Sequence, residues 1–250
     1  MMIPRDYQNN ADEGLWQFVH TRYGENPLVI LPTGTGKSLN IGMFMWRMLH
    51  HYPQVRMMMV THVKELIEGN YKTLLKLWPA APAGVYSAGL GRKDVYAQLT
   101  FAGIQSVVGR PGRFGHIDFL LIDEAHLVGT SDSANYIKFI KALKEKNPNL
   151  VVIGFTATAF RMGLGALVDG DMFDDVAFDI PPKLWAVDDI WLSGMLAVRN
   201  IPIWSNSYAS MPNEQFDVSD PLHASVIDGL NRHEANCACV EYFQEHFGIW

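Results

Sequence analysis

The segment of residues 31–38 limits most strongly what this chain can fold into. It reads L-P-T-G-T-G-K-S and fits the phosphate-binding pattern G-x-x-x-x-G-K-[ST] if the first glycine is relaxed, because Leu31 occupies that place. An apolar run of strand length precedes it, and apolar residues recur at helical spacing after Ser38. A glycine-rich loop between a strand and a helix turns backbone N–H groups toward phosphates. The segment therefore predicts a nucleoside triphosphate site, with Lys37 on the β and γ phosphates and Ser38 on Mg²⁺.

Length and composition allow one large domain, or one domain with an extension. The 250 residues are 48% hydrophobic and 18% charged, which is enough apolar material for a sizeable core. The sequence has no apolar run near the roughly 20 residues of a membrane span, and the N-terminus lacks the apolar stretch of a signal peptide. We therefore expect a cytoplasmic protein that has no membrane partner. The net charge of −6 argues against a protein that coats polyanions, but a local basic groove would still bind nucleic acid.

The order of apolar runs and amphipathic segments predicts the fold class. After the first strand and helix, strands are predicted at residues 56–61, 84–87, 98–102, 117–122 and 150–155, and helices at 63–77 and 134–146. This alternation is typical of an α/β fold, a mostly parallel sheet with helices on both faces. Farther on, residues 163–175 look like a loop, 205–221 like a linker, and 223–247 like a final helix or helix pair.

Two acids follow the strand predicted at 117–122. An apolar strand that ends in Asp123 and Glu124 delivers both carboxylates to the edge where open α/β sheets bind ligands. We expect Asp123 to hold the Mg²⁺ that Ser38 also contacts, and Glu124 to orient and deprotonate an attacking water. Two solvated acids at a strand end are the alternative.

Two threonines follow the strand predicted at 150–155. Thr156 and Thr158 lie in the run F-T-A-T-A-F-R, where small hydroxyl residues could sense whether the γ-phosphate is present. In isolation they would be ordinary loop threonines.

Together these segments resemble the first RecA-like domain of a superfamily 2 helicase of the DEAD/DEAH-box type. Residues 32–38 resemble motif I, residues 123–126 read D-E-A-H as in motif II, and residues 156–158 resemble motif III. The resemblance implies a RecA-like P-loop NTPase domain with a C-terminal helical extension, ATP and Mg²⁺ as cofactors, and ATP-dependent helicase or translocase activity. It implies catalytic roles for Lys37, Asp123, Glu124 and His126, and a coupling role for Thr156 and Thr158.

The resemblance also implies the residues that bind the nucleotide. These are Arg5, Gln8, Thr33, Gly34, Thr35, Gly36, Lys37, Ser38 and Leu39. Residues 5–8 resemble the family's R-x-Y-Q element, in which the glutamine contacts the adenine edge, so that role falls to Gln8 with Arg5 in support. Without the family, a surface position on a first helix would be the simpler interpretation of Gln8.

Two further segments resemble the family's strand-contacting elements. Residues 60–66 resemble motif Ia, and residues 102–107 resemble the T-x-Q-S-like element. Such segments present backbone N–H groups, hydroxyls and a lysine to phosphates, without reading the base sequence. Lys64, Gln105 and Ser106 are the candidates for contact with the nucleic-acid strand, which we expect to be DNA rather than RNA. Arg92 and Lys93 would add charge there, or would lie in a merely solvated loop.

A closer likeness is to the bacterial RadD-type helicases, which are implicated in DNA repair. It covers roughly residues 3–200 and is carried by the phrases at 62–66, 88–93 and 156–163. The chain departs from the pattern at Ala159, where relatives usually have proline.

The family has two RecA-like domains with ATP between them, and the second domain supplies an arginine finger. Residues 233–247 resemble only the helix that enters that second domain. We therefore expect a first RecA-like domain at 1–180, an extension and linker at 181–222, and the start of a truncated second domain at 223–250. A second RecA-like domain in the same or another chain is the expected partner. Alone, the chain is expected to bind ATP·Mg²⁺ weakly and to hydrolyse it slowly or not at all.

Three other functions stay open. The chain could be a non-catalytic ATP-gated nucleic-acid-binding module, the motor part of a restriction system, or a small-molecule P-loop kinase. The D-E-A-H and T-A-T runs argue against the kinase, because kinases lack such a coupling segment.

Overall fold

The computed structural model describes most of the chain up to residue 179 and one helix beyond it. The described residues are 4–32, 34–128, 133–158, 160–161, 165–169, 172–179 and 232–248. Predictions that concern Thr33, Ala159 and the linker at 181–222 lie outside these ranges.

The described elements alternate as the sequence predicts. The helices are α1 Asp6–Thr21, α2 Lys37–His51, α3 Lys64–Leu77, α4 Ile104–Val107, α5 Ser133–Lys144 and α6 Arg232–Phe247. The strands are β1 Pro27–Ile30, β2 Met57–Thr61, β3 Ala83–Ser87, β4 Arg92–Lys93, β5 Leu99–Gly103, β6 Phe119–Asp123, β7 Val151–Thr156, β8 Phe160–Arg161, β9 Gly165–Ala166 and β10 Asp175–Phe178. The strands and helices predicted between residues 28 and 155 are all present, with ends shifted by one or two residues.

Eight strands form one sheet in the order β10-β1-β7-β6-β2-β5-β3-β4. Within the described ranges every pairing in this sheet is parallel except that of β4 with β3. Strands such as β1, β2 and β7 are buried along their whole length, which explains why they read as continuous apolar runs. The predicted α/β class with a mostly parallel sheet is therefore confirmed.

The direction of the connections accounts for helices on both faces of this sheet. The crossovers through α2 and α3 move one way across the strand order, and those through α4 and α5 move back. Because such crossovers are right-handed, the two directions put their helices on opposite faces. In agreement, α2 packs against α3, and α4 packs against α5.

The loop prediction for residues 163–175 is wrong in two places: Gly165–Ala166 form strand β9, which pairs with β8, and Asp175 begins the edge strand β10. Strand β10 pairs in parallel with β1. Two acids at its start make further contacts: Asn26 N donates a hydrogen bond to Asp174 Oδ2 at 2.6 Å, and Arg22 forms an ion pair with Asp175. The run D-D-V-A-F holds only three apolar residues after two acids. Contacts with β1, rather than local pattern, therefore determine that these residues form a strand.

The centre of the sheet is packed too closely at Gly154 to admit a side chain. A Cβ there would lie 2.6 Å from Cε1 of Phe173 and 2.7 Å from Cδ1 of Leu28, both buried. We expect Gly154→Ala to lower the free energy of unfolding by about 1–3 kcal/mol, measured by urea denaturation. The control is Gly69→Ala on the exposed side of α3, whose Cβ meets nothing within 4 Å and which should gain about 0.5–1 kcal/mol. Similar losses in both variants would contradict the packing explanation.

The chain divides into two compact units, Met1–Asp179 and Ile180–Trp250. In the second unit, α6 lies within the helix or helix pair predicted at 223–247. The interpretation of 223–250 as the start of a second RecA-like domain stays a prediction. Across the described ranges, no helix has both the length and the apolar character to span a membrane.

Candidate nucleotide and nucleic-acid site

Three neighbouring strands bring the predicted nucleotide-site residues to one edge of the sheet. β1, β7 and β6 are adjacent and parallel. They lead at their carboxyl ends into the loop of residues 31–38, the T-A-T segment and the D-E-A-H segment. Segments far apart in the sequence thus meet where open α/β sheets bind ligands.

The loop before α2 has a backbone suited to anions. Gly34 and Gly36 have φ angles of +80° and +89°, a left-handed conformation that glycine adopts without steric cost. Thr35 Oγ1 donates to Pro32 O at 2.6 Å and so ties the turn together. The loop ends at the N-terminus of α2, which begins at Lys37, and N–H groups at such an end favour phosphate.

Helix α1 supports this loop through buried side chains. Gln8 Nε2 and Tyr7 OH donate to Thr35 O at 2.7 and 2.9 Å. Arg5 Nη1 donates to Tyr7 OH at 3.1 Å, and Arg5 N donates to Gln8 Oε1 at 2.9 Å. Only 4% of Gln8 is exposed, so its interpretation as a surface residue is wrong. A Cβ on Gly36 would lie 2.7 Å from Gln8 Nε2, so the loop and this glutamine fit only with glycine there.

Lys37 faces the acids that follow β6. Its Nζ lies 3.4 Å from Glu124 Oε1 and 3.5 Å from Leu31 O. Glu124 is held with φ of 59°, the one positive φ of a non-glycine residue in the described ranges. Such a backbone costs free energy, and it persists where the surrounding structure fixes it, often at a functional site. The ammonium and the carboxylate therefore stand side by side at the start of α2.

Asp123 is the most deeply buried acid of the site, with 2% of its surface exposed. Its Oδ2 accepts a hydrogen bond from Asn70 Nδ2 at 2.7 Å, and its Oδ1 accepts one from Glu124 N at 3.1 Å. Burial raises the pKa of Asp123, and the hydrogen bond from Asn70 partly opposes that rise. A nearby cation would favour the charged carboxylate. Carboxylate and hydroxyl oxygens suit Mg²⁺, so Asp123 with Ser38, in the first turn of α2, fits that ion.

A chain of polar contacts joins the D-E-A-H segment to the T-A-T segment. His126 Nδ1 lies 3.3 Å from Glu124 Oε2 and 3.1 Å from Thr156 Oγ1. The same hydroxyl donates to Thr158 O at 3.0 Å and accepts from Thr158 N at 3.1 Å. Leu31 N donates to Thr156 O at 2.8 Å, which connects the threonine to the phosphate loop as well. The residues expected to couple phosphate state to strand binding are therefore in direct contact.

The predicted strand-contacting residues gather at a second place along the same edge. β2, β5 and β3 are neighbours, and their carboxyl ends border a cavity of about 440 Å³. Lys64, Gln105 and Ser106 all line it, together with Lys93 and Arg110. Three cations with a hydroxyl and an amide suit a sugar-phosphate backbone.

Residues 92–93 form strand β4, so their interpretation as a solvated loop is wrong. Because successive side chains of a strand point to opposite faces, the two cations separate. Lys93 lines the cavity. Arg92 Nη2 instead pairs with Asp94 Oδ2 at 2.7 Å, and its guanidinium lies 4.8 Å from the centre of the Tyr71 ring.

Sequence patterns missed two residues of the site. Arg110 lines the cavity, and the run R-P-G-R at 110–113, just after the T-x-Q-S-like element, is the signal that would have indicated it. Asn70 contacts Asp123 from the middle of α3, where nothing in the local sequence distinguishes it.

Solved structures of helicases and restriction enzymes share this fold. The UvsW helicase from bacteriophage T4 is 19% identical, with a TM-score of 0.53 over 70% of this chain and 60% of that chain. The Hef helicase domain from Pyrococcus furiosus is 16% identical, with a TM-score of 0.53 over 80% of this chain and 49% of that chain. A nuclease-deletion mutant of the Type ISP restriction-modification enzyme LlaGI, in complex with a DNA substrate mimic, is 16% identical. Its TM-score is 0.55, over 80% of this chain and 21% of that chain.

The chain thus spans 60% or less of the length of each of these structures. The likeness confirms the predicted RecA-like helicase fold. No curated protein matches the chain.

A family model matches residues 1–161, more than half of the chain. The matched region contains the phosphate loop, the D-E-A-H segment and the T-A-T segment. With the shared fold, this match confirms the resemblance to superfamily 2 helicases. The chain belongs to the family described as "Type III restriction enzyme, res subunit".

Proposed function

We propose that this chain is the ATP-binding motor half of a superfamily 2 helicase or translocase that acts on nucleic acid, on DNA rather than RNA. One observation carries the proposal: the phosphate loop, the D-E-A-H segment and the T-A-T segment share a sheet edge with a cation-lined cavity. The family match supports an ATP-driven motor. The likeness to a restriction enzyme solved with a DNA substrate mimic supports DNA as the partner.

In the proposed reaction, the loop of residues 33–39 binds the phosphates of ATP, and Lys37 neutralises charge on the β and γ phosphates. Glu124 takes a proton from a water molecule as the water oxygen bonds to the γ-phosphorus. The bond from that phosphorus to the bridging oxygen breaks, and ADP and phosphate leave. Mg²⁺ held by Ser38 and Asp123 would supply further neutralisation of phosphate charge. Gln8 and Arg5 are proposed to contact adenine.

Coupling to the strand is proposed to run from Glu124 through His126 to Thr156 and Thr158. The contacts of 3.0 to 3.3 Å between these residues support that role. A second RecA-like domain, in the same or another chain, is proposed to supply an arginine during hydrolysis. Turnover by the 250-residue chain alone is therefore expected to be slow. A role in DNA repair rests on the RadD-type likeness alone.

ATP turnover with and without single-stranded DNA, duplex DNA and RNA tests this function. We expect ATP binding, and slow hydrolysis that DNA stimulates more than RNA does. Nucleotide binding without any hydrolysis, even with DNA, would favour a non-catalytic gated module. Transfer of phosphate to a nucleoside or similar acceptor would point to a kinase instead.

The motor of a restriction system is a second candidate, and the family description and the LlaGI likeness favour it. Such a motor moves along duplex DNA, whereas a helicase separates strands. The test uses the chain joined with its partner domain. If it displaces a third strand bound to duplex DNA but does not separate the two strands of the duplex, the result supports the restriction motor.

Lys64 and Arg110 are expected to contact strand phosphates in the cavity. Replacing either by alanine should weaken binding of single-stranded DNA and reduce the dependence of log Kd on log salt by about 0.7 for each lost contact. Fluorescence anisotropy over a salt series measures both. The matched control is Lys72→Ala, which removes a cation on the same helix as Lys64, where it pairs with Glu68 at 2.7 Å. If Lys72→Ala weakens binding as much as Lys64→Ala, the cavity is not the strand site.

A further inference from the structure

Asn70 is a buried amide that faces the proposed metal-binding carboxylate. It lies in the middle of α3 and is 1% exposed. Asparagine is a poor residue for a helix interior, and a buried amide costs free energy unless its groups are hydrogen-bonded. Its presence there is therefore explained by what it contacts.

Two hydrogen bonds fix the orientation of this amide. Asn70 Nδ2 donates to Leu66 O, one turn earlier on α3, at 2.8 Å, and to Asp123 Oδ2 at 2.7 Å. Both protons of the amide nitrogen are thus used. The hydrogen bond to Oδ2 restrains the Asp123 carboxylate against rotation about its Cβ–Cγ bond. The longer hydrogen bond from Glu124 N to Oδ1 would not prevent this rotation alone.

The amide oxygen of Asn70 is buried without a hydrogen bond from any described residue, and packing alone does not explain this cost in free energy. Within the described residues, Oδ1 is buried and has no hydrogen-bond partner. Flipping the amide would bring this oxygen against Asp123 Oδ2, where two acceptors repel, so the unpaired oxygen is the consequence of donating to the carboxylate. A buried unsatisfied group in a native protein calls for an explanation. A fixed carboxylate is the explanation that the contacts support.

Helix α3 also connects Asn70 to the cation-lined cavity. The helix begins at Lys64, which lines the cavity, and Ile67 lines it one turn later. Residues three apart on a helix lie along one face, so Lys64, Ile67 and Asn70 follow one another from the cavity to Asp123. A displacement of α3 by a bound strand would therefore move the amide relative to the carboxylate.

We propose that Asn70 is a positioning residue that orients the Asp123 carboxylate and transmits strand binding from the cavity to it through α3. This rests on the proposed function, since it requires that Asp123 binds a metal ion and that the cavity binds a strand. Asn70 contacts neither ligand in this role and acts through Asp123.

Two equilibrium measurements on Asn70→Ala test the proposal. The affinity of the ADP complex for Mn²⁺, followed by electron paramagnetic resonance, should fall about tenfold, as when a residue that orients a metal ligand is lost. The second measurement is the ratio of single-stranded DNA dissociation constants with and without a non-hydrolysable ATP analogue and Mg²⁺. This ratio reports coupling between the two sites and should move toward one. Asn70→Leu, of similar volume and without the donor, should give both changes.

The control is Asn147→Ala, which removes another buried asparagine whose Nδ2 donates to a main-chain oxygen, Ile117 O, at 2.9 Å. It should lower stability without changing Mn²⁺ affinity or the coupling ratio. The positioning role can be judged once the unchanged chain binds nucleotide and DNA with a coupling ratio different from one. The role is rejected if Asn70→Ala and Asn70→Leu then keep both that ratio and the Mn²⁺ affinity. If the unchanged chain binds neither nucleotide nor DNA, the proposed function fails and the inference fails with it.

Discussion

Glu124→Gln is expected to lower the rate of ATP hydrolysis by about 10²- to 10⁴-fold, the usual contribution of a positioned general base. Glutamine keeps the size of the side chain and an oxygen that can face Lys37 Nζ, which lies 3.4 Å from Oε1. An amide does not accept a proton from water at neutral pH. Binding of ATP should therefore survive while the chemical step is lost.

A single-turnover measurement with protein in excess over ATP separates the two effects, and titration with a fluorescent nucleotide gives the affinity. Glu145→Gln is the control, because it removes the same charge from an exposed position just after α5. The assignment of Glu124 as the base would be rejected if both variants hydrolysed ATP at the unchanged rate.

Lys37→Ala is expected to weaken binding of ATP and ADP by about 10- to 100-fold, because hydrogen bonds to charged groups contribute about 1.5–3 kcal/mol. Its Nζ lies between Glu124 Oε1 and Leu31 O, at the start of the helix that follows the phosphate loop. Loss of the ammonium also leaves the Glu124 carboxylate without its cation, and that carboxylate then repels the γ-phosphate.

The nucleotide series provides the control for this variant. AMP lacks the β and γ phosphates, so its affinity should be the same for Lys37→Ala and the unchanged chain, as isothermal titration calorimetry would measure. Equal weakening for AMP and ATP would instead mean that the substitution disrupts the loop, and that the phosphate contact proposed for Lys37 is not the cause.

The phosphate loop and the two acids were predictable from sequence because each lies next to an apolar run that fixes its place. Lys37 begins the helix after β1, and Asp123 ends β6, so the alternation of elements already puts them on one edge. The resemblance to a family added Gln8, which local pattern alone would have left on the surface. The structure adds how Gln8 reaches the loop, through Thr35 O.

Asn70 and β10 could not be predicted in the same way, because strand order and helix placement determine their partners. The contact from Asn70 to Asp123 exists only because β2, which leads into α3, lies beside β6 in the sheet. Local sequence gives the order of elements along the chain but not the order of strands across a sheet. For β10, two acids at the start of the segment interrupt the apolar pattern, and the pairing with β1 that makes it a strand is a tertiary contact.

The strand β4 closes one side of the described sheet, and it is only two residues long. An exposed sheet edge invites a strand from another molecule, and short edge strands that carry lysine or arginine discourage such pairing. The two cations of β4 therefore also act against association of one copy with the next. Lys93 also lines the cavity, so selection at this position would act both on the tendency of copies to associate and on contact with a ligand in the cavity.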